Sequence, residues 1–106
     1  MEMKKKLLLT LALISPLANA TVNLPPCDEL GQLSAEIMVE RQHGALMSNV
    51  MRKYSTHERP TFSKELIIMA FDRRAYSSNE YKVRSVVNFR NYVEVACYKY
   101  KEKNKG

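Results

Sequence analysis

Two cysteines, Cys27 and Cys97, stand 70 positions apart in a chain of 106 residues, and what they do limits every fold open to it. In a reducing compartment they are two free thiols; in an oxidising one they are a staple between the ends of a small domain. The first twenty residues, "MEMKKKLLLTLALISPLANA", decide between these. Lys4, Lys5 and Lys6 form a charged start, Leu7 to Ile14 an apolar run, and Ala18-Asn19-Ala20 a small-x-small site after the break at Pro16. These are the three parts of a secretory signal, in order, and they predict cleavage after Ala20. A membrane span needs roughly 20 apolar residues, more than this interrupted run supplies. A lipid-bearing cysteine follows the apolar run directly, whereas Cys27 comes after Pro25 and Pro26, well beyond it. The expected product is therefore exported and without a transmembrane segment. Its short lysine-rich leader is of the bacterial kind, so the expected address is the periplasm, or secretion beyond it. An even cysteine count in that setting predicts one disulfide, Cys27 to Cys97.

Export also changes the meaning of the charge. The whole chain carries +6, but the leader removes three lysines and Glu2 and leaves +4. Lys99, Lys101, Lys103 and Lys105, less Glu102, supply +3 of that, so residues 21–98 are nearly neutral. A basic tail is not a cationic face, and a nucleic-acid partner is not expected. The expected division is a signal peptide over 1–20, a helical domain over 21–100 and a flexible basic tail over 101–106. Such a domain has a small core, which is where a covalent staple contributes most.

Periodicity predicts four helices and no convincing strand. The clearest begins near Ser77, where Ser77 and Glu80 have capping-box spacing and Tyr76 and Tyr81 are placed as a hydrophobic staple. Val83, Val86, Phe89 or Arg90, Val93, Cys97 and Tyr100 then recur at steps of three and four, one stripe of a long helix. Alternation in "VEVACYKY" also suits a strand, but the cap and the length favour helix. The first helix follows Pro25-Pro26, with Asp28 and Glu29 at its positive end and Leu30, Leu33, Ile37 and Met38 as its stripe. Gly44 is its expected stop. A short helix over "ALMSNVMRKY", a loop over "STHERPT" and a third helix over "FSKELIIMAFDRR" complete the pattern, with "AYSS" turning into the last helix. If the first and last helices run antiparallel, both cysteines lie at one end. The fold class expected is an all-α bundle of about four helices, closed by one disulfide between the first and last.

The combination "C…A..IM..RQ.G..MS..M", an apolar helix and "EY…V..FRN.V…CYK" resembles a group of small exported two-cysteine proteins of proteobacteria and their phages. The resemblance spans Cys27 to Lys99 and implies this fold class and address. More loosely, the architecture is similar to periplasmic acid-stress chaperones and to the phage Spackle-type lysozyme inhibitor, both short, helical and closed by one disulfide. No functional residue aligns with either.

Little in the sequence points to catalysis. His43 and His57 are the only histidines, and no Ser-His-Asp set, phosphate loop or paired-histidine metal motif is visible. Glu36 and Glu40, one turn apart, fit a solvated helix face better than a carboxylate pair. No enzyme activity, metal or cofactor is expected. His43, Met47 and Met51 at spacing four would suit Cu(I) on a continuous helix, but Gly44 interrupts that column, and methionines at helical spacing are usually core filler. Arg41 and Gln42 late in the first helix suit its negative end, with Arg41 pairing to an acid such as Glu94 as a variant; a binding role is the alternative. With no tryptophan, the tyrosines are the expected aromatic anchors, and Tyr92, Tyr98 and Tyr100 join Arg41 and Gln42 as candidate binding residues. The expectation is an envelope protein-binding module, in one version a phage-derived inhibitor of an envelope enzyme. A stress chaperone and a copper binder are the alternatives; ordinary acidic content and two histidines weigh against an acid chaperone.

Overall fold

The computed structural model describes residues 23–55 and 60–105. The expected leader, its expected cleavage site and His57 lie outside the described residues. Among the described residues there are four helices and no strand: α1 (Cys27–Gln42), α2 (Met47–Tyr54), α3 (Pro60–Phe71) and α4 (Asn79–Lys103). Among the described residues, no helix is long and apolar enough to cross a membrane.

α1 starts behind Pro25-Pro26, with Asp28 and Glu29 in its first turn, where carboxylates oppose the positive end of the dipole. Gly44 ends it as expected. Its φ is +83°, and the Gly44 and Ala45 amides donate to the Arg41 and Glu40 carbonyls at 3.2 and 3.0 Å. This is the paired closure of a Schellman stop, which needs a residue without a Cβ penalty at that φ. α2 is two residues shorter than "ALMSNVMRKY" suggests, because Ala45 and Leu46 are used in leaving the stop. α3 begins at Pro60, inside the expected loop; proline suits a first helical turn because its missing N–H has no partner there. It ends at Phe71 rather than Arg74, with the Arg73 amide tightening back to the Ala70 carbonyl at 3.1 Å.

α4 is helical throughout, which resolves the helix-or-strand ambiguity at its C-terminal end. Its cap is Ser78, one residue later than the Ser77–Glu80 box predicts, and the Ser78 hydroxyl accepts from the Tyr81 amide at 3.3 Å. Glu80 is turned outward to Arg84 at 3.2 Å. The Tyr76–Tyr81 ring contact forms, with centroids 5.7 Å apart. The last turn continues three residues past Tyr100, to Lys103, and Asn104 closes it through bonds to the Tyr100 carbonyl. Side chains from Lys101 to Lys105 are all exposed.

α1 is the central helix. α4 packs along it, and α3 packs on α1 and carries α2. Cys27 at the start of α1 is bonded to Cys97 near the end of α4, with Cα atoms 5.6 Å apart. Gln42 at the end of α1 meets Ser85 at the start of α4. The two helices therefore run antiparallel and are tied at both ends. Between the ties, Leu30, Ile37 and Met38 of α1 and Phe89 and Val93 of α4 are buried, and Leu66, Ile67 and Ala70 of α3 with Val50 and Tyr54 of α2 complete the core. Val83 departs from the expected stripe: it is 63% exposed, while Val86 is half-buried. The seam runs through Phe89, Val93 and Cys97, and at 3.6 residues per turn Val83 is carried off its edge.

Candidate functional site

Three surfaces around the α1–α4 pair hold the residues that sequence reasoning singled out. The first is internal. Gln42 is 1% exposed, and its side-chain amide faces the loop between α3 and α4. Nε2 donates to the Arg74 carbonyl at 2.9 Å and to Ser85 Oγ at 3.2 Å, with a longer contact to Met38 sulfur at 3.4 Å. Oε1 accepts from the Tyr76 amide at 2.9 Å. The Gln42 backbone carbonyl accepts from Lys82 Nζ. Next to it, Arg41 donates from two guanidinium nitrogens to the Arg73 carbonyl at 2.9 and 2.8 Å and lies over the Phe71 ring at 5.2 Å. The adjacent pair therefore grips three consecutive stations of one loop. Buried backbone groups need partners, and a loop has no ladder to provide them. Arg41 does not pair with Glu94: that carboxylate accepts from Arg90 at 2.7 Å, and Arg90 also reaches Gln32 at 2.9 Å.

The second surface is the outward side of the same loop. Arg73, Arg74 and Arg84 line a cleft of about 430 Å³ with Tyr76, Tyr81 and Asn88. Each guanidinium lies over a ring: Arg73 over Phe89 and Tyr92 at 5.1 and 4.9 Å, Arg74 over Tyr76 at 5.1 Å, and Arg84 over Tyr81 at 5.6 Å. Stacking of this kind orients the fork of N–H donors outward while the face is covered. Tyr92 enters the site as the ring beneath Arg73.

The third surface is apolar. Val39 of α1 and His43 just after it face Val83, Val86 and Val87 of α4 across a shallow groove of about 180 Å³. Val39, Val83 and Val87 are all well exposed, and Val95 and Tyr98 are exposed further along α4, beyond Asn91. Tyr100 lies elsewhere, half-buried beside Leu24, Leu30, Met69 and Cys97 at the disulfide end. The five candidate binding residues thus do not form one site. Arg41, Gln42 and Tyr92 gather at the α3–α4 loop, and Tyr98 and Tyr100 lie toward the far end of α4.

The remaining polar candidates have structural partners. Glu40 accepts from Lys53 at 2.6 Å, and this hydrogen bond holds the Lys53 pKa above its ordinary value. Gln32 donates to Glu36 at 3.4 Å, so the two glutamates are not a pair. The His43 ring is hydrogen-bonded to the Val39 carbonyl at 2.8 Å, on the far side of the Gly44 break from Met47 and Met51. The cleft arginines were missed in the sequence because "DRR" reads as the end of α3. The available signal was two arginines followed within two residues by a tyrosine, just after an apolar helix. Comparison with protein-family models, with curated proteins and with solved structures finds no match to this chain.

Proposed function

We propose that the chain is an exported binding module whose partner is a protein of the bacterial envelope, and that it acts there as an inhibitor or modulator of an envelope enzyme. The observation that carries this reading is the apolar groove between α1 and α4, where Val83 and Val87, both exposed, meet Val39. Exposed apolar side chains gathered at a groove are a feature of contact sites for other proteins. Tyr98, exposed further along α4, suits an anchor, because its ring buries area while its hydroxyl stays hydrated. The leader pattern and the disulfide support an oxidising address.

The test is crosslinking in living cells that export the protein, followed by identification of the adduct. The exported chain should begin at Thr21 and form one dominant protein adduct. Val83→Asp with Val87→Asp, both on exposed positions, should abolish that adduct while the far-ultraviolet spectrum stays unchanged. An adduct unaffected by the double substitution overturns the assignment of this face. A chain that retains Met1 overturns the address.

A further inference from the structure

We propose a second binding site, separate from the apolar face of α4: the cleft formed by Arg73, Arg74 and Arg84 takes a phosphoryl group with several adjacent oxyanions, a phosphomonoester or a pyrophosphate. Four features of the cleft lead to that ligand class. Its lining carries three guanidinium groups and no carboxylate. Glu80 does pair with Arg84, but both side chains are largely exposed, and such a pair is easily exchanged for a better anion. Second, the loop's competing acceptors are withdrawn. The Arg73 and Arg74 carbonyls are already occupied by Arg41 and Gln42, so they do not compete for the cleft, and the backbone that bears both side chains is fixed.

Third, one face of each ring is covered by a guanidinium group, which leaves the guanidinium edges to meet a ligand. The hydroxyls of Tyr76 and Tyr81 join them in the lining. Ser85 adds to this set, since its oxygen accepts from Gln42 and keeps its own proton to donate. Fourth, the site is concave, and the three arginines come from a loop and from a helix. Donors converging from several directions match a tetrahedral group with three charged oxygens better than one planar carboxylate, and arginine forks bind phosphoryl oxygens in pairs. The source of the group is either a soluble phosphorylated compound or a phosphate displayed on a lipid.

The experiment is calorimetric titration of the oxidised protein with inorganic pyrophosphate, alongside co-sedimentation with phosphatidylcholine vesicles with and without phosphatidic acid. Saturable binding of one pyrophosphate per chain indicates a soluble source, and binding confined to phosphatidic acid vesicles indicates a lipid headgroup; either supports the site. Arg74→Gln and Arg84→Gln should each weaken binding by about tenfold or more, the scale of one charge-assisted hydrogen bond. Lys101→Gln with Lys103→Gln removes two charges from the tail, twice what either arginine variant removes, and should leave binding unchanged. Equal losses in the tail variant mean diffuse charge attraction and overturn the site. So does an absence of binding to both probes, or tighter binding of a glutamate-rich peptide than of pyrophosphate. Loss of the envelope adduct in Val83→Asp/Val87→Asp leaves the pyrophosphate result untouched, so the two readings fail separately.

Discussion

Replacing Gln42 with leucine keeps the buried volume and removes the amide that holds the α3–α4 loop. Two of its bonds go to backbone groups, the Arg74 carbonyl and the Tyr76 amide, both at 2.9 Å. Both bonds are part-buried, so water replaces the amide only incompletely and the cost falls in the lower part of the usual range. Ser85, half-buried, can turn its hydroxyl to water, and the Met38 sulfur is a weak acceptor. Orphaning each backbone group costs about 1.5 kcal/mol, or about 3 kcal/mol for both. The more favourable transfer of leucine into the core offsets about 1 kcal/mol. The net loss is about 2 kcal/mol, which for a domain of this size lowers the melting midpoint by about 8–16 °C. Thermal unfolding followed by far-ultraviolet circular dichroism, with the disulfide intact, measures it. Ser85→Ala is the control and should cost less than about 1 kcal/mol. A Gln42→Leu protein as stable as the parent would refute the reasoning, because the loop would then be held by something other than that amide.

Reduction of the disulfide, or Cys97→Ser, should cost about 4 kcal/mol in the chain-entropy picture, given a loop of 70 residues, and a urea titration of both forms checks it. At Gly31 a Cβ would collide with the Glu94 side chain, so Gly31→Ala alone should disrupt the Glu94–Arg90 pair. In a Glu94→Ala background the same change should stabilise by about 1 kcal/mol, the helix-propensity difference between glycine and alanine. Tyr54 is pushed above its ordinary pKa of 10.0, chiefly by burial, so the difference in absorbance titration between the parent and Tyr54→Phe should develop above pH 10. The fold favours its neutral form; the associated stability is fully present below pH about 10 and is lost as pH rises through the folded-state value.

The helices were legible because each carries its signal within a few residues. Gly44 is the clearest case, since a helix stop at φ +83° is written in one residue type. The disulfide was legible from the leader-like pattern and an even count, and its position then agreed with two antiparallel helices. The cap of α4 was read one residue early because Ser77 and Ser78 are chemically equivalent; the loop conformation, fixed by Gln42 at Tyr76, decides which serine reaches the Tyr81 amide. The Arg41–Gln42 grip was not legible at all. Its partners are the backbone atoms of residues 73, 74 and 76, more than thirty positions away, and a backbone carbonyl leaves no trace in residue identity. The cleft inherits that difficulty, because Arg73 and Arg74 become a site only once their carbonyls are turned inward. Val83 shows the limit of periodicity: steps of three accumulate an angular drift at 3.6 residues per turn, and the stripe does not say where the edge of the buried seam falls.

Native-state hydrogen exchange of one amide tests most directly whether the end of α1 holds the loop that carries the cleft. Tyr76 lies outside any helix, and its N–H points at Oε1 of a buried side chain. An opening free energy of about 2 kcal/mol corresponds to protection of roughly 30-fold over the free amide rate. Tyr76 should show at least that protection in the parent protein and lose it in Gln42→Leu, while the amide of Phe89 in the core of α4 stays protected in both. A Tyr76 amide that exchanges at the free rate in the parent protein would contradict the grip, and with it the ordered presentation of Arg73 and Arg74.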